Sequence, residues 1–174
     1  SAHKFNGPKG IGFLYVRKGI DMSPYISGGG QEYGLRSGTE NVASIVGMAV
    51  ALRENIESLE KNQSHIQHLE SLLLRLLDES DIIYQRNGAD NHVPGNISLS
   101  FPGHSGESIL NRLDLQGICI STGSACNSKD TVVSHVLKAI GLPDDIAQST
   151  VRISLGKDNS EDEIISIVES LSKL

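Results

Sequence analysis

The sequence predicts an α/β fold, a short sheet with helices packed against it. Three observations lead there. Short apolar runs of strand character alternate along the chain with longer stretches whose apolar residues recur every three or four positions. Glycines, 18 of 174 residues, gather between these runs and mark them off from one another. With aromatics at 4% and no Trp, the core has to rest on Ile, Leu and Val, and a chain of 174 residues can bury such a core without staples.

The elements follow in order. "GIGFLYVRKG" holds a strand-like run over residues 12–16, bounded by glycine turns. "YISGGGQEYGLRSGTEN" reads as a loop in which missing side chains let backbone amides approach a ligand. From Asn41 to Asp78 the spacing predicts one long helix, or two joined near Asn62. One stripe runs through Ile45, Met48, Ala49, Leu52, Ile56 and Leu59, a second through Ile66, Leu69, Leu72, Leu73 and Leu76. "RNGADNHVPG" reads as a loop and "NISLSF" as a strand. "SGESILNRLDLQG" is a helix that Ser105 caps and Gly117 ends, and "ICIST" is a strand. "VVSHVLKAIG" is a helix closed by Gly141, "TVRISLG" a strand, and the final helix opens on a capping box of Ser160 with Glu163.

Charge and cysteine usage narrow the function classes. Residues 1–39 carry five cations against two anions, a net +3, which leaves −9 for the remainder of a chain whose total is −6. The acidic body argues against direct nucleic-acid binding, while the basic N-terminal part suits an anionic ligand such as phosphate. The two cysteines, Cys119 and Cys126, match no metal-ligand spacing and no disulfide framework, which predicts a reducing, cytoplasmic setting. No apolar run approaches the roughly 20 residues that span a bilayer, so no membrane association is expected. The chain opens on Ser1, and "SAHKFNGPKG" reads like the interior of a longer protein; a fragment is expected.

Four places could carry chemistry. Cys126 lies among small polar residues in "STGSACNSKD", after a strand and before a helix, where a thiolate would be exposed and favoured; the other reading is a buried small apolar residue. Cys119, between Ile118 and Ile120, reads as core. Lys4, after His3 and before a Gly-Pro turn, is either a surface cation or a Schiff-base lysine. Arg152 lies inside an apolar strand, where it needs a carboxylate, from the protein or from a ligand. Thr39 and Arg36 suit a phosphate or a turn equally well. His65 and His68 read as solvated helix residues, and His92, His104 and His135 show no evident partner.

"SAHKFNGPKGIGFLYVR", "GGGQEYGLRSGTEN", "STGSAC" and "STVRISLG", in that order and across essentially the whole chain, resemble the C-terminal half of a cysteine desulfurase of the NifS and IscS kind. These are pyridoxal-phosphate enzymes of the class-V aminotransferase family. The resemblance implies the C-terminal part of their fold, with residues 1–50 a remnant of the large cofactor-binding domain and residues 51–174 the small α+β domain. It further implies that Lys4 holds the cofactor covalently, that Ser1 and His3 contact its phosphate, and that Thr39 reaches the phosphate of a partner subunit's site. The last of these implies a homodimer. Arg152 would clamp the carboxylate of the substrate L-cysteine, and Cys126 would take its sulfur as a persulfide. Acceptors in the family include iron–sulfur scaffold proteins and tRNA-thiolation enzymes. The family's N-terminal part brings a stacking His, an Asp at the pyridine nitrogen and a Gln at the phenolic oxygen, so the chain by itself is expected neither to retain pyridoxal phosphate nor to desulfurate cysteine. A persulfide carrier or interaction domain without cofactor chemistry is the alternative, although a carrier has no need of Lys4, His3 or Thr39.

Overall fold

The computed structural model of the chain describes residues 1–122 and 134–174. These divide into two compact units, Ser1–Leu59 and Glu60–Leu174.

The second unit holds a four-stranded antiparallel sheet in the order β1-β2-β4-β3, formed by β1 (Gln85–Asn87), β2 (Asn96–Ser100), β3 (Ser121–Thr122) and β4 (Thr150–Ser154). The alternation in "NISLS" and "TVRIS" decides which face is dry. Ile97 stands opposite Ile153 and Leu99 opposite Val151, and all four are almost fully buried. That face packs against α2 (Leu59–Asp78) and α6 (Glu161–Leu171), whose Leu69, Leu73, Leu77, Ile164 and Leu171 complete the core around Phe101. Between the strands lie α3 (Gly106–Asp114), α4 (His135–Ala139) and α5 (Asp144–Gln148). The small antiparallel sheet flanked by helices is the architecture the alternating pattern predicts.

The first unit differs from its sequence reading. Residues 12–16 form no strand, because a strand exists only through ladder partners and none of the described residues supplies one. Its one β-type pairing is an isolated bridge between Ile26 and Arg36. The helical stretch is two helices, α1 (Val42–Glu57) and α2, and the break falls at Ser58 rather than near Asn62. The first stripe stays open: Ile56 is 64% and Leu59 59% exposed, and the only buried apolar residues of this unit are Ala2 and Ala51. Two further readings change in the second unit. The "RNGADNHVPG" loop starts only at Gly88, since Arg86 and Asn87 pair with Leu99 and Ser98 as β1. The strand in "ICIST" shortens to Ser121–Thr122.

Candidate functional site

Ser1, His3 and Lys4 lie on one short turn, the 3₁₀ segment Ala2–Phe5, and all three side chains are exposed. Ala2 is the pivot of this turn: its N–H donates to the Ile11 carbonyl at 2.9 Å and its carbonyl accepts from Gly7 N–H at 2.8 Å. Asn6 closes the turn in the left-handed region at φ 65. Two residues of α1 tie the turn down. Asn55 Nδ2 donates to the Phe5 carbonyl at 2.8 Å. Gly47 lets Pro8 approach so closely that a Cβ there would lie 2.9 Å from its ring. The sequence reading missed both; an Asn and a Gly inside a helix are the signal that could have flagged them.

Thr39 is exposed at the end of the glycine loop. The loop doubles back on itself: Ser37 N–H donates to Ile26 O at 3.2 Å and Ser37 Oγ to Gly29 O at 2.7 Å. Gly28, at φ +149, has little room for a side chain, because Ser37 lies 3.2 Å from where its Cβ would be. Arg36, the other phosphate candidate, instead spends Nη1 on the Ser37 carbonyl at 3.1 Å.

Arg152 projects from β4 on the polar face of the sheet, with Ser98 opposite it on β2 and Ser121 opposite on β3. That face carries a run of hydroxyl and amide groups. Asn87 Nδ2 donates to Ser98 Oγ at 3.3 Å and to Ser100 Oγ at 2.8 Å, and Ser100 Oγ meets Thr150 Oγ1 at 2.7 Å. Arg152 Nη2 donates to Ser121 Oγ at 3.4 Å. Its Nε is buried and has no hydrogen-bond partner among the described residues, nor does any carboxylate among them pair with the guanidinium. Leaving such a donor dry and unpaired costs about 1–3 kcal/mol, so the position calls for an acceptor that the described residues do not provide.

Cys126 falls outside the described residues. Cys119 is exposed, contrary to the core reading, and opens onto a cleft beside α6. The alternation of "ICI" is real but of opposite phase: Ile118 and Ile120 turn inward against the core and the thiol turns out. Among the described residues no three His, Cys, Asp or Glu side chains gather as a metal site, and no helix is long and apolar enough to cross a membrane.

A charged cluster escaped the sequence reading. Glu70 of α2, only 6% exposed, receives Gly95 N–H at 2.7 Å, Arg86 Nη2 at 3.2 Å and His92 Nε2 at 2.6 Å. His92 Nδ1 also meets the Asp90 carbonyl at 2.8 Å. Those two bonds, the backbone one foremost, hold the His92 pKa above its ordinary value against opposition from burial and from Arg86. His65 and His68 likewise find partners, at Asn159 O (2.9 Å) and Glu161 (2.8 Å).

A family model described as aminotransferase class-V matches residues 1–167. The chain is 42% identical over its full length to a protein named cysteine desulfurase IscS from Dictyoglomus turgidum, of which it covers 44%. Among solved structures, a NifS-like protein superposes with TM-score 0.88 at 40% identity, over 99% of this chain and 44% of that one. A structure of SspA in complex with cysteine gives TM-score 0.67 at 36% identity, over 92% of this chain and 44% of that one. The chain thus spans less than half the length of the relatives it matches.

Proposed function

Since the chain belongs to the class-V aminotransferase family, we propose that it serves as part of a cysteine desulfurase, an enzyme that uses pyridoxal phosphate to convert L-cysteine to L-alanine and deposits the sulfur as a persulfide on Cys126. The observation that carries the reading is the buried Nε of Arg152, which has no partner among the described residues and asks for an anionic acceptor such as a substrate carboxylate. The names of the relatives, and the cysteine complexed with SspA in one solved neighbour, support the substrate.

The donor set suits the cofactor. Lys4 offers an exposed primary amine to an aldehyde, and Ser1 and His3 offer hydroxyl and imidazole groups to a phosphate from the same turn. Thr39 adds a hydroxyl from the glycine loop toward the phosphate of a partner subunit's site, in a homodimer. When bound, pyridoxal phosphate would supply an electron sink next to the substrate's α-carbon. Arg152 would hold the carboxylate and so fix which substrate bond faces the thiol. Cys126, as thiolate, would form an S–S bond to the substrate sulfur while the Cβ–S bond breaks and its electron pair stays on carbon, to be protonated in L-alanine. The persulfide would then pass to iron–sulfur scaffold proteins or tRNA-thiolation enzymes.

By itself, the chain should hold the cofactor only weakly. Lys4 is open to water, and covalent retention of an aldehyde in water is weak. One equivalent of pyridoxal phosphate should therefore be lost on gel filtration, and a stoichiometric visible band surviving that step would overturn this part. The activity is tested by placing the chain in the corresponding half of the Dictyoglomus turgidum enzyme. The chimera should make alanine from L-cysteine, Lys4→Ala and Cys126→Ser should abolish it, and Arg152→Ala should raise KM. A chimera that folds and holds cofactor but makes no alanine, while Cys126 still accepts persulfide from a donor, would instead favour a carrier.

A further inference from the structure

The carboxylate reading of Arg152 leaves open what aims its guanidinium, and the polar sheet face supplies a candidate. The only side chain among the described residues that accepts from Arg152 is Ser121, through Nη2 at 3.4 Å. Ser121 and Arg152 are direct cross-strand partners on β3 and β4, so the backbone ladder itself sets their approach. Nη2 and Nε share one edge of the planar guanidinium, the edge that takes a carboxylate through two parallel hydrogen bonds. Nη2 carries two protons, so it can donate to Ser121 and still offer the other, and Nε–H has no partner among the described residues. Ser121 Oγ, as the acceptor in that bond, keeps its own O–H free to donate. The opposite neighbour, Ser98, accepts from Asn87 rather than from Arg152.

We propose that Ser121 is a positioning residue for carboxylate recognition: it holds the Nε–Nη2 edge of Arg152 in place and directs its own hydroxyl proton to the same anion. This rests on Arg152 being the carboxylate site. Ser121 also belongs to the strand from which the chain runs on toward Cys126, five residues later. The hydroxyl would thus place the substrate's anionic end by a residue of the same segment that carries the sulfur-accepting thiol.

The test follows the Arg152 Nε–H resonance of the 174-residue chain by NMR while L-alanine is added, with ethylamine, which lacks a carboxylate, as the control at matched ionic strength. Wild type should show a saturable shift with L-alanine and none with ethylamine. Ser121→Ala should bind L-alanine about three- to ten-fold more weakly, the range expected for one net hydrogen bond. Ser121→Thr, which keeps the hydroxyl, should restore wild-type affinity, and unchanged core amide resonances in both variants would show that the sheet is intact. A wild-type chain without an L-alanine shift would overturn the carboxylate reading of Arg152. A wild-type shift that Ser121→Ala reproduces at equal affinity would leave that reading standing and overturn the role of Ser121.

Discussion

Removing the Glu70 side chain should unfold the second unit at markedly lower denaturant. In Glu70→Ala the Gly95 N–H, buried and donating at 2.7 Å, loses its acceptor, which costs about 1–3 kcal/mol. Arg86 and His92 lose their anion too, but their side chains are 32% and 26% exposed, so water compensates and each pair is worth only about 0.5 kcal/mol. The loss is then about 2–4 kcal/mol, most of it from one backbone donor, against a typical stability of about 5–15 kcal/mol. Urea unfolding followed by far-UV circular dichroism measures it, with Tyr84 emission as a second probe because the other three tyrosines are exposed. At a urea slope of about 1–3 kcal/mol per molar, the midpoint should drop by about 1 M or more. Glu70→Gln keeps an acceptor for Gly95 and should lose only about 1 kcal/mol. The pH dependence has a definite sign. His92 uses both ring nitrogens on acceptors, so the imidazolium is favoured and its folded pKa is raised. Its contribution is fully present below the unfolded value of 6.5 and is lost as pH rises through the higher folded value, so His92→Gln should cost more at pH 6 than at pH 8.5. An Ala variant within about 0.3 M of wild type, or one indistinguishable from the Gln variant, would refute the assignment of the energy to Gly95.

Four other outcomes are expected. Gly95→Ala should destabilise by about 1–3 kcal/mol in the same assay, because Gly95 has φ +77 and a new Cβ would meet Ile66 Cγ2 at 2.5 Å and the Leu155 carbonyl at 3.1 Å. Ser160→Ala should cost about 1 kcal/mol by breaking the capping box. Since hydrogen bonds from Asn159 and from Ser160 N–H hold the Glu163 carboxyl below its usual 4.5, that box contributes above this value and fades as pH falls through the lowered one, which a urea series at decreasing pH would show. Iodoacetamide should label Cys119 in the folded chain about as fast as in urea; labelling that waits for unfolding would return it to the core. In hydrogen exchange, Leu99 and Val151 amides should open only with the whole second unit, whereas Ala2 and Gly7 should exchange orders of magnitude faster, and uniform protection would contradict the division into units.

What could be read from the sequence was whatever repeats locally. Leu69, Leu72 and Leu73 follow each other at helical spacing and are buried, and the alternation in "TVRIS" separates Val151 and Ile153 from Arg152. Cys119 shows the limit of that method: alternation puts it on the face opposite Ile118 and Ile120, but only packing tells which face is dry. Glu70 gave no local signal, since its donors come from residues 86, 92 and 95, brought to it by the β1–β2 connection. The strand read at residues 12–16 failed for the complementary reason, because apolar composition cannot supply a ladder partner.

The same contrast bears on the proposed carboxylate residue and the proposed cofactor lysine, each taken within its own unit. Arg152 stands on a strand whose neighbours Val151 and Ile153 belong, among the described residues, to a core of fifteen buried apolar residues, so its position is fixed by the global stability of that unit. Lys4 stands on a turn held by a few backbone bonds, by Asn55 and by Pro8 on Gly47, in a unit whose buried apolar residues are two alanines. Local opening there costs far less, because little apolar area is re-exposed when the turn frays. On the proposed reading the two sites would differ in what they demand: carboxylate recognition at Arg152 would be preorganised by the core of its own unit, while cofactor capture would need the Lys4 turn to be ordered by something that also shields it from water. If Arg152 takes the carboxylate as proposed, binding there should accordingly survive conditions in which Lys4 holds no cofactor at all, and the L-alanine titration would read it in the chain by itself.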